Sequence, residues 1–401
     1  MVVQQLAWLG LLGSIGVFYF LESRDAMIAE PWCESTSDDI PCMFSPTYEV
    51  ARDRFRRAAK QLARLNLSVH SFNRSLPSDP NLSIDFVSLR HVGSPTTKFI
   101  IHSSGVHGVE GFSGSAIQLA ILEAIRNGSI TIPRNTAVFL VHAVNPFGMA
   151  RLRRANENNV DLNRNGLHHF KDAAMPKDLE LANFLLLPTL PPGYTIDHIL
   201  FWFKSVFLLA TRGFTELKRA IVTGQYIYKD GLFYGGSKKQ ASIKILEDAL
   251  DEAGAFSNSI TWLDVHTGLG PFGFDTMMVD DAQTAAKAKL QFPKSIVEAK
   301  TSGDVDASSG YDNLQGDFGS YFKTKTTQGS FMYITQEFGT VNGIQAYRSL
   351  YLENSAFQLD KASQPYTARN YLIPAFNPLS AFWRVSVVER GVEAFRRAIS
   401  H

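Results

Sequence analysis

Four side chains in this sequence have the types and the placing that metal-dependent chemistry requires. His107 and Glu110 lie three residues apart in the stretch SSGVHGVEGFSGS, whose glycines permit a loop that aims both side chains at one point. His266 ends the apolar stretch SITWLDVH, and Glu337 ends the stretch YITQE. Two histidines and a glutamate, with a fourth position left to water, form the ligand set of a catalytic zinc site. Glu337 is then available as a separate base.

Taken singly, each of these residues also has an ordinary structural explanation. His107 and Glu110 fit a loop histidine beside a glutamate at the start of a helix, and His266 and Glu337 fit buried polar groups with hydrogen-bond partners. A phosphate-binding loop does not explain the glycines, because the stretch contains neither G-x-G-x-x-G nor G-K-[ST]. Glu110 would also repel a phosphate.

A polar stretch between these motifs, NPFGMARLRRANENNVDLNRNG, supplies groups that suit a hydrolytic site. Asn163 and Arg164 could hold a carboxylate, since a guanidinium group matches a carboxylate in two hydrogen bonds. Arg154 could face a developing oxyanion. Asp161 could accept the outer ring N–H of a metal-bound histidine and so determine its tautomer.

The elements that must position these residues alternate between strand and helix. Strands are predicted at IDFVSLRHV, TKFIIHSSG, NTAVFLVHAV, NSITWLDVHTG and GSFMYITQEFG, and helices at EVARDRFRRAAKQLARL, GFSGSAIQLAILEAIRNG, GSKKQASIKILEDALDEAG, GIQAYRSLYLENSAFQL and PLSAFWRVSVVERGVEAFRRAIS. This order predicts a three-layer α/β/α sandwich with a mixed, mostly parallel sheet. In such sheets, chemistry collects at the carboxyl ends of the strands.

One long apolar and aromatic stretch, residues 195 to 224, interrupts this alternation. Asp197, His198 and Lys204 make it a poor membrane span. We expect a helical cap on the catalytic body, within an insertion at about residues 168–235, and a membrane-facing helix is the alternative.

The N-terminal residues 1–25 have the composition of a signal peptide or a membrane anchor, because an uncharged apolar run from Leu6 to Leu21 precedes Glu22 and Arg24. The two cysteines, Cys33 and Cys42, lie just after this segment. N-x-[ST] sequons occur at Asn66, Asn73, Asn81 and Asn127. Together these features predict the secretory pathway, with a secreted or membrane-anchored chain whose catalytic domain is lumenal or extracellular.

The overall charge excludes one large class of function. Because 39 basic residues balance 38 acidic ones, the net charge is +1 and no global field attracts nucleic acid.

Within the polar stretch at residues 145–166, we expect an exposed basic cluster at Arg151 and Arg153. With no repeat or low-complexity linker, residues 26–401 are predicted to form one catalytic domain.

The motifs in this order resemble those of the carboxypeptidase A type of zinc peptidase. The order is H-x-x-E, then NPFG followed by RANENNVDLNRN, then a histidine and a glutamate at strand ends. More closely, SGVHGVEGFSGSAIQ, GQYIYKDGLFYGG, LDVHTGLG and QEFGT resemble a domain-of-unknown-function branch of that superfamily, with its G-x-H-G-x-E-G motif. The similarity extends from about residue 45 to the C-terminus. It implies one zinc ion held by His107, Glu110 and His266, with Glu337 as general base and acid.

The resemblance also implies roles for the polar stretch. Arg154 would polarise the scissile carbonyl, Asn163 and Arg164 would hold a terminal carboxylate, and Asp161 would support His107. Asn159 departs from the family pattern, since many relatives have glycine there. No motif selects a catalytic tyrosine among the candidates Tyr311, Tyr321 and Tyr333.

These features favour a zinc-dependent hydrolase of amide bonds, and within that class a metallocarboxypeptidase that removes a C-terminal residue from a peptide. One alternative is an aspartoacylase-like deacylase of N-acyl amino acids. Another is a membrane-tethered binding protein without catalysis, against which Glu337 argues, because a binding module needs no base.

Overall fold

The computed structural model describes residues 40–64, 67–173, 179–192, 195–300 and 314–400. Within those residues, eight strands form one sheet in the order β1-β2-β4-β3-β5-β8-β6-β7. The strands are β1 (Ser68–Leu76), β2 (Asp79–Arg90), β3 (Lys98–Ser104), β4 (Thr136–His142), β5 (Ser259–Phe272), β6 (Asp275–Val279), β7 (Ile296–Ala299) and β8 (Phe331–Gly339). The segment 1–25, Cys33, Asn66 and Tyr311 lie outside the described residues.

The centre of the sheet is parallel and its flanks contain antiparallel pairs. Strands β4, β3, β5 and β8 run in the same direction, so their carboxyl ends share one edge. Strand β2 pairs antiparallel with both β1 and β4, and β6 pairs antiparallel with β8. The predicted mixed sheet is therefore confirmed, and the parallel centre is the part that carries the histidine and glutamate motifs.

Helices flank the sheet and its carboxyl edge. They are α1 (Tyr48–Gln61), α2 (Gly111–Arg126), α3 (Pro146–Ala150), α4 (Leu179–Leu186), α5 (Thr195–Arg212), α6 (Phe214–Val222), α7 (Ala241–Glu252), α8 (Ala282–Gln291), α9 (Phe318–Lys323), α10 (Gly343–Leu359), α11 (Gln364–Thr367), α12 (Ile373–Phe376) and α13 (Ala381–Ser400). Single 3-10 turns lie at Ile40–Met43, Leu62–Arg64, Gly108–Glu110, Leu162–Arg164, Phe170–Asp172 and Ala255–Ser257, and a π-helical turn at Ala368–Leu372.

The two faces of the sheet carry separate hydrophobic cores. Strand side chains alternate between faces, so Ile100 packs with α1, α2 and α13 while its neighbours Phe99 and Ile101 pack with α7 and α9. Gly391 of α13 faces Ile117 of α2, and a Cβ at Gly391 would lie 2.5 Å from that side chain. The helices on both faces confirm the predicted three-layer sandwich.

The apolar stretch at residues 195–224 forms α5 and α6. Together with α4, these helices build a third core against α10 and α12, in which Leu185, Leu217 and Leu350 are buried. This arrangement agrees with a helical cap. Among the described helices, none combines the length and the hydropathy that a membrane crossing requires.

Three strands were not predicted from the sequence, namely β1, β6 and β7.

The described sequon residues are accessible to solvent. Asn73 of β1 is exposed, and Asn81 and Asn127 are exposed as well. Cys42 is buried and disulfide-bonded.

Candidate metal centre

His107 and Glu110 follow the carboxyl end of β3. The backbone turns at Gly105, whose φ of +70° is unfavourable for other residues, and then forms the 3-10 turn that precedes α2. A Cβ at Gly108 would lie 1.9 Å from the backbone of Gly148. The glycines of this stretch therefore allow a sharp turn at Gly105 and a close contact between Gly108 and the backbone of Gly148.

His266 and Glu337 lie side by side on the parallel strands β5 and β8, where they are direct partners in the register. Neither strand ends at its functional residue, in contrast to the expectation. Strand β5 continues to Phe272 and β8 to Gly339. The pairing shifts register between Gly268 and Phe272, where Gly268 has a φ of +140°. This irregularity lets the backbone leave the edge of the sheet just beyond the two side chains.

Three side chains that can ligate a metal, those of His107, Glu110 and His266, converge at this edge and form the donor cluster. The Nδ1 atom of His107 lies 2.9 Å from Glu110 Oε1 and 3.1 Å from His266 Nδ1, and His266 Nδ1 lies 3.3 Å from Glu110 Oε2. All three residues are at most 3% exposed. The ligands of a tetrahedral zinc ion lie about 3.4 Å from one another, given metal–ligand distances near 2.1 Å. The separations here are close to that value, so the cluster fits a small metal ion.

The outer nitrogens of both histidines contact buried carboxylates. The Nε2 atom of His107 lies 3.1 Å from Asp161 Oδ1, and that of His266 lies 2.7 Å from Asp264 Oδ2. A carboxylate accepts a hydrogen bond, so in the neutral form of each ring Nε2 carries the proton and Nδ1 directs its lone pair inward. This tautomer is the one that a metal ligand needs.

The charges around the cluster also favour a cation. Burial disfavours the imidazolium, but Asp264 and Glu110 raise the pKa of His266 to about 10. Burial also opposes ionisation of Glu110, yet His107 and His266 hold the pKa of Glu110 well below its usual range. The carboxylates thus stabilise positive charge between the two rings, and a metal ion at the inner nitrogens would supply it.

Glu337 lies beside the cluster with its side chain buried. Its Oε1 atom accepts a hydrogen bond of 3.0 Å from the backbone N–H of Leu269. Burial, and then repulsion from Glu110, raises the pKa of Glu337 to about 7. A carboxyl group with that pKa exchanges protons readily near neutral pH, as a general base must.

A cavity opens beside the donor cluster, and Glu337 and Arg154 line it together with the three potential ligands. The carboxylates of the centre hold the guanidinium group of Arg154. Its Nε donates to Asp161 Oδ2 at 3.0 Å, and its Nη1 lies 3.4 Å from Glu110 Oε1. Although burial opposes ionisation of Asp161, Arg154 and His107 hold the pKa of that carboxyl group well below its usual range. The guanidinium group is therefore oriented next to the donor cluster.

Asn163 and Arg164 also line the cavity, but Arg164 makes contacts that the sequence did not suggest. Its Nε and Nη2 donate to the carbonyl of Val222 at 3.0 and 2.7 Å, and its Nη1 donates to the carbonyl of Asn163 at 2.8 Å. The Oδ1 atom of Asn163 accepts a hydrogen bond from the backbone N–H of Phe318. Arg164 thus caps the C-terminus of α6 in this structure.

The expectation of an exposed basic cluster is wrong for Arg153, which is 1% exposed. Its Nε lies 2.7 Å from Glu353 Oε1, and its Nη2 donates to Asn159 Oδ1, whereas Arg151 is exposed. Asn159 has a φ of +57°, a conformation that glycine adopts freely and that asparagine tolerates. Its side chain supplies the acceptor that holds Arg153, which a glycine could not do.

None of the described tyrosine candidates lines the cavity. Tyr321 donates to Glu247, and Tyr333 donates to Asp264 Oδ2 at 2.5 Å. Tyr347 of α10 does line it, with its hydroxyl donating to the carbonyl of Leu185. Sequence reasoning also missed Asp264, although two polar residues on the same face of an apolar strand, in LDVH, were a usable signal.

Comparisons with known proteins identify a family. The model of the family described as "Protein of unknown function (DUF2817)" matches residues 44–390. No curated protein is significantly similar to the chain in sequence.

Several solved structures are similar at low identity. One is thrombin activatable fibrinolysis inhibitor, with 9% identity, 88% of this chain and 80% of that chain covered, and a TM-score of 0.49. Carboxypeptidase A from Helicoverpa armigera has 12% identity, coverages of 89% and 81%, and a TM-score of 0.47. A metallo-carboxypeptidase from Burkholderia cenocepacia has 11% identity, coverages of 87% and 68%, and a TM-score of 0.42. The family match confirms the branch that the motifs indicated, and the similar structures include carboxypeptidases.

Proposed function

The chain belongs to the DUF2817 family, and from the geometry of its candidate metal centre we propose that it is a zinc-dependent hydrolase of amide bonds. One observation carries the proposal. The inner nitrogens of His107 and His266 and the carboxylate of Glu110 converge within 4.8 Å of one another, with Glu337 beside them. A buried carboxyl group with a raised pKa next to convergent ligand groups is typical of a catalytic site.

His107, Glu110 and His266 would hold the zinc ion, since two neutral imidazoles and a carboxylate are a common catalytic ligand set. When bound, zinc supplies a Lewis acid that polarises a carbonyl group and lowers the pKa of a coordinated water. Asp161 and Asp264 keep each imidazole in the tautomer that offers Nδ1.

Glu337 would move the proton. The N–H of Leu269 donates to its Oε1 and helps to fix the carboxylate, which would remove a proton from the attacking water. The same carboxyl group would then deliver that proton to the leaving amine as the C–N bond breaks. Arg154, oriented by Asp161, would stabilise the negative charge that develops on the carbonyl oxygen.

Within this class, the first candidate is a metallocarboxypeptidase. Asn163 and Arg164 line the cavity, and Arg164 would pair with a terminal carboxylate after releasing the carbonyl of Val222. The second candidate is a deacylase of N-acyl amino acids, whose substrates carry the same free carboxylate beside the scissile amide but a non-peptide acyl group. The mainly apolar lining of the cavity beside the metal-ligand cluster favours it.

The first experiment is to measure zinc content and the hydrolysis of peptides and N-acyl amino acids by purified protein, with His266→Ala as the matched inactive control. We expect stoichiometric zinc and amide cleavage in the wild type and neither in the variant. Failure of the zinc-loaded wild type to cleave any amide would reject the proposal.

Arg164→Ala tests whether this residue binds a substrate carboxylate. If it does, the variant should lose far more activity on substrates with a free C-terminal carboxylate than on the same substrates with amidated ends. An equal loss on both would assign Arg164 to the support of α6 and favour a general amide hydrolase.

A further inference from the structure

The donor cluster opens into one continuous cavity of about 380 Å³. Its floor contains His107, His266 and Glu337, and the rest of its wall is mainly apolar. This volume lies within the roughly 300–1,000 Å³ that is usual for sites of drug-sized ligands. The cavity therefore accommodates a group longer than a single small side chain, directly next to the reacting atoms.

The helices of the insertion build much of the apolar wall. Leu185 of α4, Leu208 of α5 and Leu217 of α6 line this space together with Leu350 of α10 and Phe376 of α12. The same residues belong to the third hydrophobic core or pack against it. A peptide lying along these walls would bury amide groups away from hydrogen-bond partners, which is costly. An alkyl chain has no such groups, and its burial is favourable.

The cations at the border of the cavity already have partners. They are Arg154, Arg164, Lys218 and Lys300. Arg154 and Lys300 pair with carboxylates, and Arg164 is taken up by backbone carbonyls. These contacts leave the apolar part of the wall suited to an uncharged chain.

We infer that the substrate carries a medium-length acyl chain, which lies in this cavity beneath α4, α5 and α6 while its amide carbonyl reaches the donor cluster. The inference rests on the proposed amide hydrolase function and specifies its substrate class. The oxygen of water bonds to the acyl carbon, the C–N bond breaks, and the amine leaves with a proton. The products are a fatty acid and an amine.

Two substrate series test this inference on the zinc-loaded enzyme. In the first, glycine carries acetyl, butyryl, hexanoyl, octanoyl or decanoyl groups. In the second, the acyl group stays acetyl and the amino acid changes from glycine to leucine and phenylalanine. We expect kcat/KM to rise in the first series by roughly fourfold per methylene until the cavity is full. The second series should change little.

Two variants test whether the dependence of turnover on acyl-chain length arises in this cavity. Ala346→Phe places a ring in the cavity from α10 and should lower the ratio of decanoyl to acetyl turnover. Phe203→Ala, on the outer surface of α5 where the side chain is 72% exposed, should leave that ratio unchanged. Because Ala346→Phe is a substitution in a packed region, calorimetric binding of decanoate to the wild type provides a second readout, with micromolar or tighter binding expected.

The outcomes are distinguishable. Three results would each overturn the acyl-chain assignment and leave the hydrolase proposal intact. They are a kcat/KM that does not change with acyl length, a kcat/KM that rises only with the amino acid side chain, and a failure of decanoate to bind. No hydrolysis of any substrate would overturn the proposed function and the substrate assignment together.

Discussion

Replacement of Asp264 by asparagine should weaken zinc binding without changing any ligand. The Oδ2 atom of Asp264 lies 2.7 Å from His266 Nε2 and accepts the hydroxyl of Tyr333, while its Oδ1 accepts the hydroxyl of Ser103. If the amide nitrogen takes the place of Oδ2, it cannot accept from the His266 N–H. The ring then favours the tautomer that protonates Nδ1, which removes the lone pair facing the metal.

The expected size of this effect follows from the two ways in which the amide can orient. With its oxygen toward His266, the tautomer survives but the negative charge that raises the basicity of the ring is lost. Changes of this kind usually lower metal affinity about 10- to 100-fold. The corresponding loss of binding free energy is about 1.4 to 2.7 kcal/mol. Asp161→Asn should act in the same way on His107, to which Asp161 lies at 3.1 Å.

The assay is competition for zinc between the folded protein and a chelator of known affinity at neutral pH. Tyr333→Phe is the matched control, because it removes one hydrogen bond from Asp264 but keeps the carboxylate and its contact with His266. Its zinc affinity should lie closer to that of the wild type. An Asp264→Asn protein that is folded and binds zinc as tightly as the wild type would refute the reasoning about the tautomer.

Four further predictions concern the base, the pH dependence of the reaction, a ligand and the compartment. The Glu337→Gln variant should retain the fold and the zinc, but its kcat should fall at least about a hundredfold because an amide cannot shuttle a proton. If the zinc-bound variant keeps the full rate, another residue is the base. Because the base acts in its ionised form, wild-type kcat/KM should fall as the pH decreases through the pKa of Glu337, which is about 7 without metal and lower beside a bound cation. His107→Ala should lose zinc and activity together, and elemental analysis that shows no zinc deficit would contradict its role as a ligand. Expression in glycosylating cells should give a chain whose mobility changes with glycosidase, because three sequons are exposed, whereas an unglycosylated cytosolic chain would contradict the predicted secretory location.

Much of the local structure could be predicted because it depends on residues close in sequence. The helix predicted at GIQAYRSLYLENSAFQL is observed at Gly343–Leu359, and the strand predicted at TKFIIHSSG is observed at Lys98–Ser104. Strands β1, β6 and β7, in the outer parts of the sheet, were missed. Strand β7 has four residues, too few to show a periodicity of its own.

The sequence by itself determined which groups could take part in chemistry and roughly where along strands and loops they lie. Residue types fix the donors available at His107, Glu110 and His266, and local periodicity places them near the carboxyl ends of strands. Only the tertiary structure decided which groups meet. The β5–β8 register pairs His266 with Glu337, and the packing of the insertion engages Arg164 with Val222, 58 residues away. Such contacts depend on strand order and on the docking of distant helices, which no spacing along the chain encodes.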